Sequence, residues 1–301
     1  GFLQAGAAIH AGGVRLPDVF APDWTGLAAA HAFARCGPDR ENRAIIGWVA
    51  DADLGWGPAA GSGRPGLLQV CLRLEPGLAG CHAAWEFALT LHQGRLDVLA
   101  RAQGVPLANT APLRTMTRLE QGIATAGYLR DDERWSREFA RRYFTVAAAA
   151  IREHAPNHLL LGCRWRGPVT PALLAACAAA VDVCLLDYAE LPAQAMAPVM
   201  LGDFSWVRER FYAPGTARRT LGPTPLERML RRGRQALARA VAHPAVVGYI
   251  WSRWHDRLEE QPPFAGGLVH ANENEAREHT ELLTTINDRV EELRAMATIT
   301  E

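Results

Sequence analysis

The feature that most constrains the fold is an apolar run from Ala44 to Ala50, which is followed by two acids and then by glycines. An uncharged run of β-branched and aromatic residues, bounded by turn residues, is typical of a strand that is buried on both faces. Asp51 and Asp53 lie where this strand would end, and α/β enzymes place their chemistry at such ends. The run therefore predicts a buried strand that delivers two carboxylates to a loop.

A second run, from Pro198 to Trp206, has the same pattern and carries Asp203 at its end. Two strand-end carboxylates are the minimum for cleavage of a glycosidic bond, in which one acts as acid/base and the other as nucleophile or base. Asp is also common at strand ends because its side chain caps turns and helix starts. The spacing alone leaves both interpretations open.

Strands and helices alternate along the rest of the chain, which favours parallel pairing with right-handed crossovers. The other predicted strands end on Arg164, on Tyr188 and on Trp251, with Arg253 just beyond the last one. In a (β/α)8 barrel the active site lies at these strand ends. The predicted strands are 1–10, 44–50, 158–165, 181–188, 198–203 and 243–251, and the predicted helices are 25–34, two within 67–99, 130–154, 171–180, 225–242 and 275–296.

Six predicted strands are fewer than the eight of a closed barrel. The expected fold class is therefore α/β, a (β/α)8 TIM-barrel-like domain that is incomplete or rearranged into an open barrel. Its first strands would be missing upstream or supplied by a second chain. We expect residues 1–301 to form a single domain, the C-terminal part of a longer barrel.

Composition excludes several classes of function. Lys plus Arg and Asp plus Glu both number 32, so the charge balance favours neither nucleic acid nor an anionic membrane. No apolar run is long enough to span a bilayer. The cysteines show no zinc-ligand spacing and lie mostly in apolar segments, so we expect them to be buried, with no metal and no cofactor. This suits a cytoplasmic protein, or a secreted or periplasmic one if a leader has been removed.

The order of several segments resembles the catalytic barrel of family-50 glycoside hydrolases, the β-agarases. The similar segments are LPDVFAPDW at 16–24, AIIGWVADADLGW at 44–56, APNHLLLGCR at 155–164, VMLGDFS at 199–205 and VVGYIW at 246–251. The resemblance is collinear over nearly the whole chain. It implies a retaining-glycosidase barrel and a polysaccharide substrate.

The positions that carry the chemistry of that family are altered. The family's Asn-Glu pair, a sugar-binding amide and the acid/base, falls on Ala52 and Asp53, and its nucleophilic Glu falls on Asp203. Retaining catalysis needs carboxyl groups roughly 5 to 5.5 Å apart, and inverting catalysis roughly 6.5 to 9.5 Å. Since Asp is one methylene shorter than Glu, both changes widen the gap. A misplacement of about 1 Å can cost about a hundredfold in rate.

Three functions remain open at this point. The first is a degenerate glycosidase that acts as a carbohydrate-binding, scaffold or partner protein, with an oligosaccharide or polysaccharide, a protein partner or a second copy as ligand. The second is a working hydrolase that uses Asp53 as acid/base and Asp203 as nucleophile or base. In the third, the pocket of the barrel binds a different ligand, and Arg164 and Arg253 recognise an acidic group on it. The candidate substrate-binding residues are Asp51, Trp56, Arg164, Tyr188, Trp251 and Arg253.

Overall fold

A computed structural model of the chain separates it into two compact units, Gly1–Cys184 and Leu185–Glu301. Each unit is described by itself. The structure describes residues 1–52, 54–57, 65–104, 125–166, 169–188, 191–192, 196–206, 226–259 and 266–299. Asp53 lies outside these residues. So do most of the glycine-rich stretch at 55–66 and all of the polar stretch at 208–224, both of which the sequence predicts to be loops.

The first unit combines short strands with longer helices. Two short 3-10 turns, Phe2–Gln4 and Gly37–Asp39, accompany them. The strands are β1 (Ala8–Ala11), β2 (Val14–Pro17), β3 (Gly47–Trp48), β4 (Leu54–Trp56), β5 (Leu159–Leu160) and β6 (Trp165–Arg166). The helices are α1 (Trp24–Cys36), α2 (Leu67–Leu72), α3 (Ala79–Leu91), α4 (Leu96–Gln103), α5 (Ala126–His154) and α6 (Pro171–Ala178).

The predicted strand at 44–50 is reduced to β3, and the strand that follows it, β4, joins a different sheet. β3 pairs in parallel with β5, whereas β4 pairs with β2 and β6 in a sheet of order β1-β2-β4-β6. Main-chain hydrogen bonds extend the parallel pairing past β3, because the Ala50 amide donates to Gly162 O and the Arg164 amide to Asp51 O, both at 2.8 Å. A strand that leads to Asp51 is therefore confirmed, but it comprises only Gly47–Trp48 of the predicted 44–50. The prediction that it is buried on both faces was wrong, because Ile46 and Val49 are exposed. The residues after Asp51 turn away into a second sheet.

The core of the first unit is built on α5. Its stripe of Trp135, Phe139, Tyr143, Phe144 and Ile151 is at most 2% exposed, as the helical spacing predicts. The helix begins four residues earlier than the predicted start at 130, because the Thr125 side chain caps it by accepting from the Tyr128 amide. A single long amphipathic helix thus supplies one wall for the strands of this unit.

The second unit contains one described sheet of three strands, in the order β7-β8-β9. β8 and β9 are parallel. The strands are β7 (Cys184–Leu186, whose first residue belongs to the first unit), β8 (Val199–Phe204) and β9 (Val246–Trp251), and the helices are α7 (Leu226–Ala242), α8 (Arg277–Asn287) and α9 (Val290–Ile299).

An aromatic cluster forms the core of this unit. Trp206 is fully buried, lies 4.4 Å from Trp251 between ring centroids, and donates its indole N–H to His279 Nδ1 at 3.2 Å. Gly233 of α7 faces the Trp206 ring so closely that a Cβ there would come within 2.6 Å of it. An indole N–H can only donate, so His279 accepts through an unprotonated Nδ1, and burial lowers the pKa of this ring.

The sheets establish a mixed α/β fold but not a closed barrel. In the part of the chain that the structure describes, the three sheets have four, two and three strands, and none of them closes. Two helix predictions were wrong in detail. Residues 67–99 hold parts of three helices instead of two, and the predicted last helix is broken at Asp288 and Arg289, because Asn287 and Asp288 are poor helix formers.

Two predictions drawn from composition can also be compared with the structure. All six cysteines are buried and free, as expected. No helix in the described ranges has the length and apolar character needed to cross a membrane.

Candidate functional site

Asp51 lies at the strand end of the first unit, and its carboxylate is directed into the protein. The residue is 3% exposed. One oxygen accepts from the Tyr143 hydroxyl at 2.6 Å and the other from the Leu3 amide at 3.2 Å. Burial raises the pKa of Asp51 although the Tyr143 hydrogen bond opposes the shift, and burial also raises the pKa of Tyr143 well above its ordinary value. Both carboxylate oxygens are thus engaged by internal donors.

Trp56 is a candidate substrate-binding residue because an aromatic ring can stack on a sugar face, but its side chain is only 6% exposed. Its ring stacks on Phe144 at 6.0 Å and lies 5.8 Å from Trp165, with Phe139 and Tyr143 edge-on at 6.2 and 6.0 Å. Aromatic packing of this kind stabilises a core. The faces of the indole are occupied by protein rings, so this placement gives sugar stacking at Trp56 no support.

The remaining candidates of the first unit are placed only in part. Ala52 is exposed, and its neighbour Asp53 lies outside the described residues. Arg164 is half-buried, and its main chain is fixed by the hydrogen bond from its amide to Asp51 O. The structure therefore places Asp51 and Arg164 side by side at the strand ends. The acid/base role of Asp53 stays a prediction.

Asp203 lies at the strand end of the second unit, in a β-bulge. Leu201 pairs with Tyr249, and Phe204 pairs with Trp251. Between these two pairs β8 has two intervening residues and β9 has one, so β8 carries one extra residue, which defines the bulge. Asp203 has a φ of +50°, in the left-handed region that Asp tolerates better than most residues. Its neighbour Gly202 leaves room for Leu185 of β7, since a Cβ at 202 would lie 2.9 Å from that side chain. Backbone strain of this kind is concentrated at functional sites.

The side chain of Asp203 is half-buried and hydrogen-bonded across the sheet. The Ser252 hydroxyl, one residue beyond β9, donates to Asp203 Oδ1 at 2.7 Å. The Ser252 amide donates to Phe204 O at 2.9 Å, which extends the pairing of β8 with β9. A carboxylate held at the edge of a parallel sheet can accept sugar hydroxyls, or can act as a base or nucleophile.

Two half-buried aromatic residues lie at or just beyond the ends of strands in the sheet that contains Asp203. Tyr188, which follows β7, packs edge-on against Phe204 at 5.9 Å between ring centroids. The Trp251 indole N–H donates to Gly266 O at 3.0 Å. Arg253 is half-buried and follows Ser252 directly. The second unit therefore brings a carboxylate, a hydroxyl and two partly exposed rings to the strand ends of one sheet.

Not all of the predicted site residues belong to one unit. Asp51, Trp56 and Arg164 lie in the first, whereas Tyr188, Asp203, Trp251 and Arg253 lie in the second. Among the residues that the structure describes, no group of three or more His, Cys, Asp or Glu side chains could hold a metal ion.

Comparison with solved structures identifies the fold. An exo-β-agarase matches with a TM-score of 0.75 at 19% sequence identity, covering 96% of this chain and 41% of that one. This chain has the fold of an agarase. The agarase AgWH50C and the protein PfGH50B both match with a TM-score of 0.70 at 19% identity, covering 93% and 96% of this chain and 42% and 44% of theirs.

These comparisons confirm the resemblance to family-50 glycoside hydrolases at the level of the fold. The chain spans well under half the length of each of these three neighbours. No protein-family model and no curated protein matches the sequence.

Sequence reasoning missed two side chains that define the strand ends. Ser252 lies between Trp251 and Arg253, the two residues predicted from the sequence to bind substrate. The signal that could have identified it is a hydroxyl at the end of a predicted strand, where it can make a polar contact. Tyr143 belongs to the hydrophobic stripe of α5, and its hydroxyl donates to Asp51 Oδ2. The helical period places Tyr143 in the core, but a buried phenol also requires a hydrogen-bond partner.

Proposed function

We propose that this chain is a glycoside-hydrolase-like protein that binds carbohydrate and whose catalytic carboxylates are degenerate. The observation that carries the proposal is Asp203, held on a strained bulge at a strand end and hydrogen-bonded to Ser252, within an agarase-like fold. A half-buried carboxylate beside partly exposed Trp251 and Tyr188 is a combination suited to sugar hydroxyls and sugar faces.

The sequence resemblance supports the loss of efficient catalysis. Ala52 stands where the family has a sugar-binding Asn, and Asp53 and Asp203 stand where it has Glu. Because both side chains are one methylene shorter than Glu, the distance between the two carboxyl groups increases. Retaining catalysis needs this distance to be roughly 5 to 5.5 Å. The left-handed backbone at position 203 also favours Asp over the longer Glu. Position 203 is thus better suited to binding than to nucleophilic attack at the family's usual distance.

The ligand class we propose is an agarose-type or β-galactoside oligosaccharide, because the structural neighbours include agarases. Calorimetry with a graded series of these oligosaccharides, alongside a reducing-end assay on the same preparations, tests both parts of the proposal. We expect saturable binding without turnover. Absence of binding and of turnover across a broad glycoside panel would end the carbohydrate proposal.

A working hydrolase is the second candidate, and the strain at Asp203 favours it, because catalytic residues are often held in such conformations. Asp53 would act as acid/base and Asp203 as nucleophile or base, with a water molecule between them if the reaction inverts. Release of reducing ends that is lost in Asp53→Asn would establish this alternative in place of the first.

We further propose that the 301 residues are the C-terminal part of a (β/α)8 barrel. The three small sheets and the 41 to 44% share of the neighbouring chains support this. The remaining strands would come from an additional segment or from a second copy. Light scattering separates the two, because a stable dimer that dilution does not dissociate is expected only if a second copy completes the barrel.

A further inference from the structure

Asp203 has an orientation that its strand alone does not dictate. In a regular strand the pleat sends each side chain to one face of the sheet. At Asp203 the extra residue of the bulge and the φ of +50° interrupt this alternation. The direction of the carboxylate therefore depends on the contacts that the side chain makes.

Ser252 supplies such a contact at short range. Its hydroxyl reaches Asp203 Oδ1 at 2.7 Å, within the range of O–H to carboxylate hydrogen bonds. Both residues are half-buried, so the bond lies close to solvent and to any ligand that would approach the carboxylate.

The main chain of Ser252 is held independently of its hydroxyl. Its amide donates to Phe204 O at 2.9 Å, and the preceding residue, Trp251, pairs with Phe204 in the sheet. Removing the hydroxyl therefore leaves the strand pairing intact, and the half-buried carboxylate can be solvated by water. The bond to Asp203 can thus be deleted without disturbing the sheet.

We propose that Ser252 is a positioning residue that fixes the Asp203 carboxylate for contact with a carbohydrate ligand. This inference rests on the proposed function, since it assumes that Asp203 contacts the sugar. Ser252 acts through Asp203: it orients one carboxylate oxygen and leaves the ligand contacts to Asp203. An oriented carboxylate binds with less loss of conformational entropy than one that must be ordered by the ligand.

The test compares Ser252→Ala with Ser252→Thr, which keeps the hydroxyl. We expect Ser252→Ala to weaken oligosaccharide binding by up to about tenfold, because the ligand must then order the Asp203 side chain itself. Ser252→Thr should bind within about twofold of the wild type, since it keeps a hydroxyl on the same side-chain carbon. Ser136→Ala, which removes a buried serine hydroxyl in the other unit, serves as the matched control and should leave binding unchanged.

A double-mutant cycle separates positioning from an independent contact. In an Asp203→Ala background, Ser252→Ala should cause no further loss of binding. Equal binding by the wild type and Ser252→Ala would overturn the inference and leave the proposed function standing. A full additional loss in the Asp203→Ala background would overturn it too, because Ser252 would then act without Asp203.

A crystal structure of Ser252→Ala gives a readout that does not depend on any ligand. We expect the Asp203 carboxylate to take a different side-chain conformation, or more than one, with the pairing of β8 and β9 unchanged. If the wild type binds no carbohydrate, the proposed function fails, and with it the ligand contact that Ser252 was inferred to serve. An Asp203 carboxylate that keeps its wild-type conformation without the Ser252 hydroxyl would refute positioning even if carbohydrate binds.

Discussion

Asp51 lies just beyond one apolar strand and Asp203 lies near the end of another, and the surroundings of the two carboxylates are opposite in kind. Asp51 is 3% exposed, and its two oxygens accept from Tyr143 and Leu3. Asp203 is half-buried, lies on a bulge with a positive φ and accepts from Ser252 close to solvent. The first carboxylate is enclosed in the core, whereas the second remains partly exposed at the end of a strand.

The comparison teaches that an acid at a strand end is not by itself a functional residue. Burial and the donors that surround the carboxylate decide what it does. A buried carboxylate must be matched by donors, since an unmatched polar group in the interior costs about 1 to 3 kcal/mol. A half-exposed one can exchange water for a ligand.

The largest effect is expected for Asp51→Ala. Its loss leaves the Tyr143 hydroxyl and the Leu3 amide without their acceptor inside the protein, which should lower the free energy of unfolding by about 3 to 5 kcal/mol. Urea denaturation measures this. Asp51→Asn is the matched control, because its amide can still accept from Leu3 and donate to the Tyr143 oxygen. A stability loss in Asp51→Asn as large as in Asp51→Ala would contradict the hydrogen-bonding role.

A second buried carboxylate of the first unit, Asp132, should make stability depend on pH. Burial, aided by the charge of Asp131, raises the pKa of Asp132 to about 6 although the Leu68 amide donates to it at 2.8 Å. The folded protein then holds this proton more tightly than the unfolded chain. The stabilising contribution is complete below about pH 4 and is lost as the pH rises through about 6, up to about 3 kcal/mol in all.

Asp132→Asn checks this expectation, because it keeps the acceptor for Leu68 and cannot ionise. The free energy of unfolding, measured from pH 4 to pH 7, should fall less steeply in the variant than in the wild type. Identical slopes would show that Asp132 does not ionise over this range.

Asp203→Asn tests most directly whether Asp203, unlike Asp51, serves binding instead of stability. Asn tolerates the left-handed conformation and can still accept from Ser252, so stability should change by no more than about 0.5 kcal/mol. Binding of an agarose-type oligosaccharide should weaken about tenfold, because the charged acceptor is lost. Calorimetry measures the binding and urea denaturation measures the stability, both on the same sample. A large loss of stability with unchanged binding would place Asp203 in the same structural role as Asp51.

The smallest effect is expected for Trp251→Phe, which keeps an aromatic ring and removes the hydrogen bond to Gly266 O. Losing one neutral hydrogen bond should weaken ligand binding about threefold and cost about 0.5 to 1 kcal/mol of stability. Trp85→Phe is the control in the first unit, since its indole donates to Leu72 O at 3.2 Å in the same way. That variant should show the stability cost alone, and a loss of binding in both would mean that the effect at 251 is not local.

Much of the fold was predictable because it rests on local patterns. The helical period identified the stripe of α5 down to individual residues, and the apolar runs located the pairing partners of β3 and β8. The turn of the chain between β3 and β4 was not predictable, because residues 54–56 are as apolar as a continuing strand would be. Which sheet they join depends on β2 and β6, and the sequence pattern of 44–57 contains no information about those partners.

The sequence alone determined that this is an α/β protein with acids at the ends of apolar strands, because hydrophobic periodicity and turn residues are local properties. It also carried the resemblance to agarases and the replacement of Asn-Glu and Glu by Ala52, Asp53 and Asp203. Only the tertiary structure decided that the buried Asp51 accepts a hydrogen bond from Tyr143, whereas Asp203 lies on a bulge and accepts one from Ser252. The physical reason is that the environment of a carboxylate is set by donors 92 and 49 residues away in the chain, and no local pattern encodes those contacts.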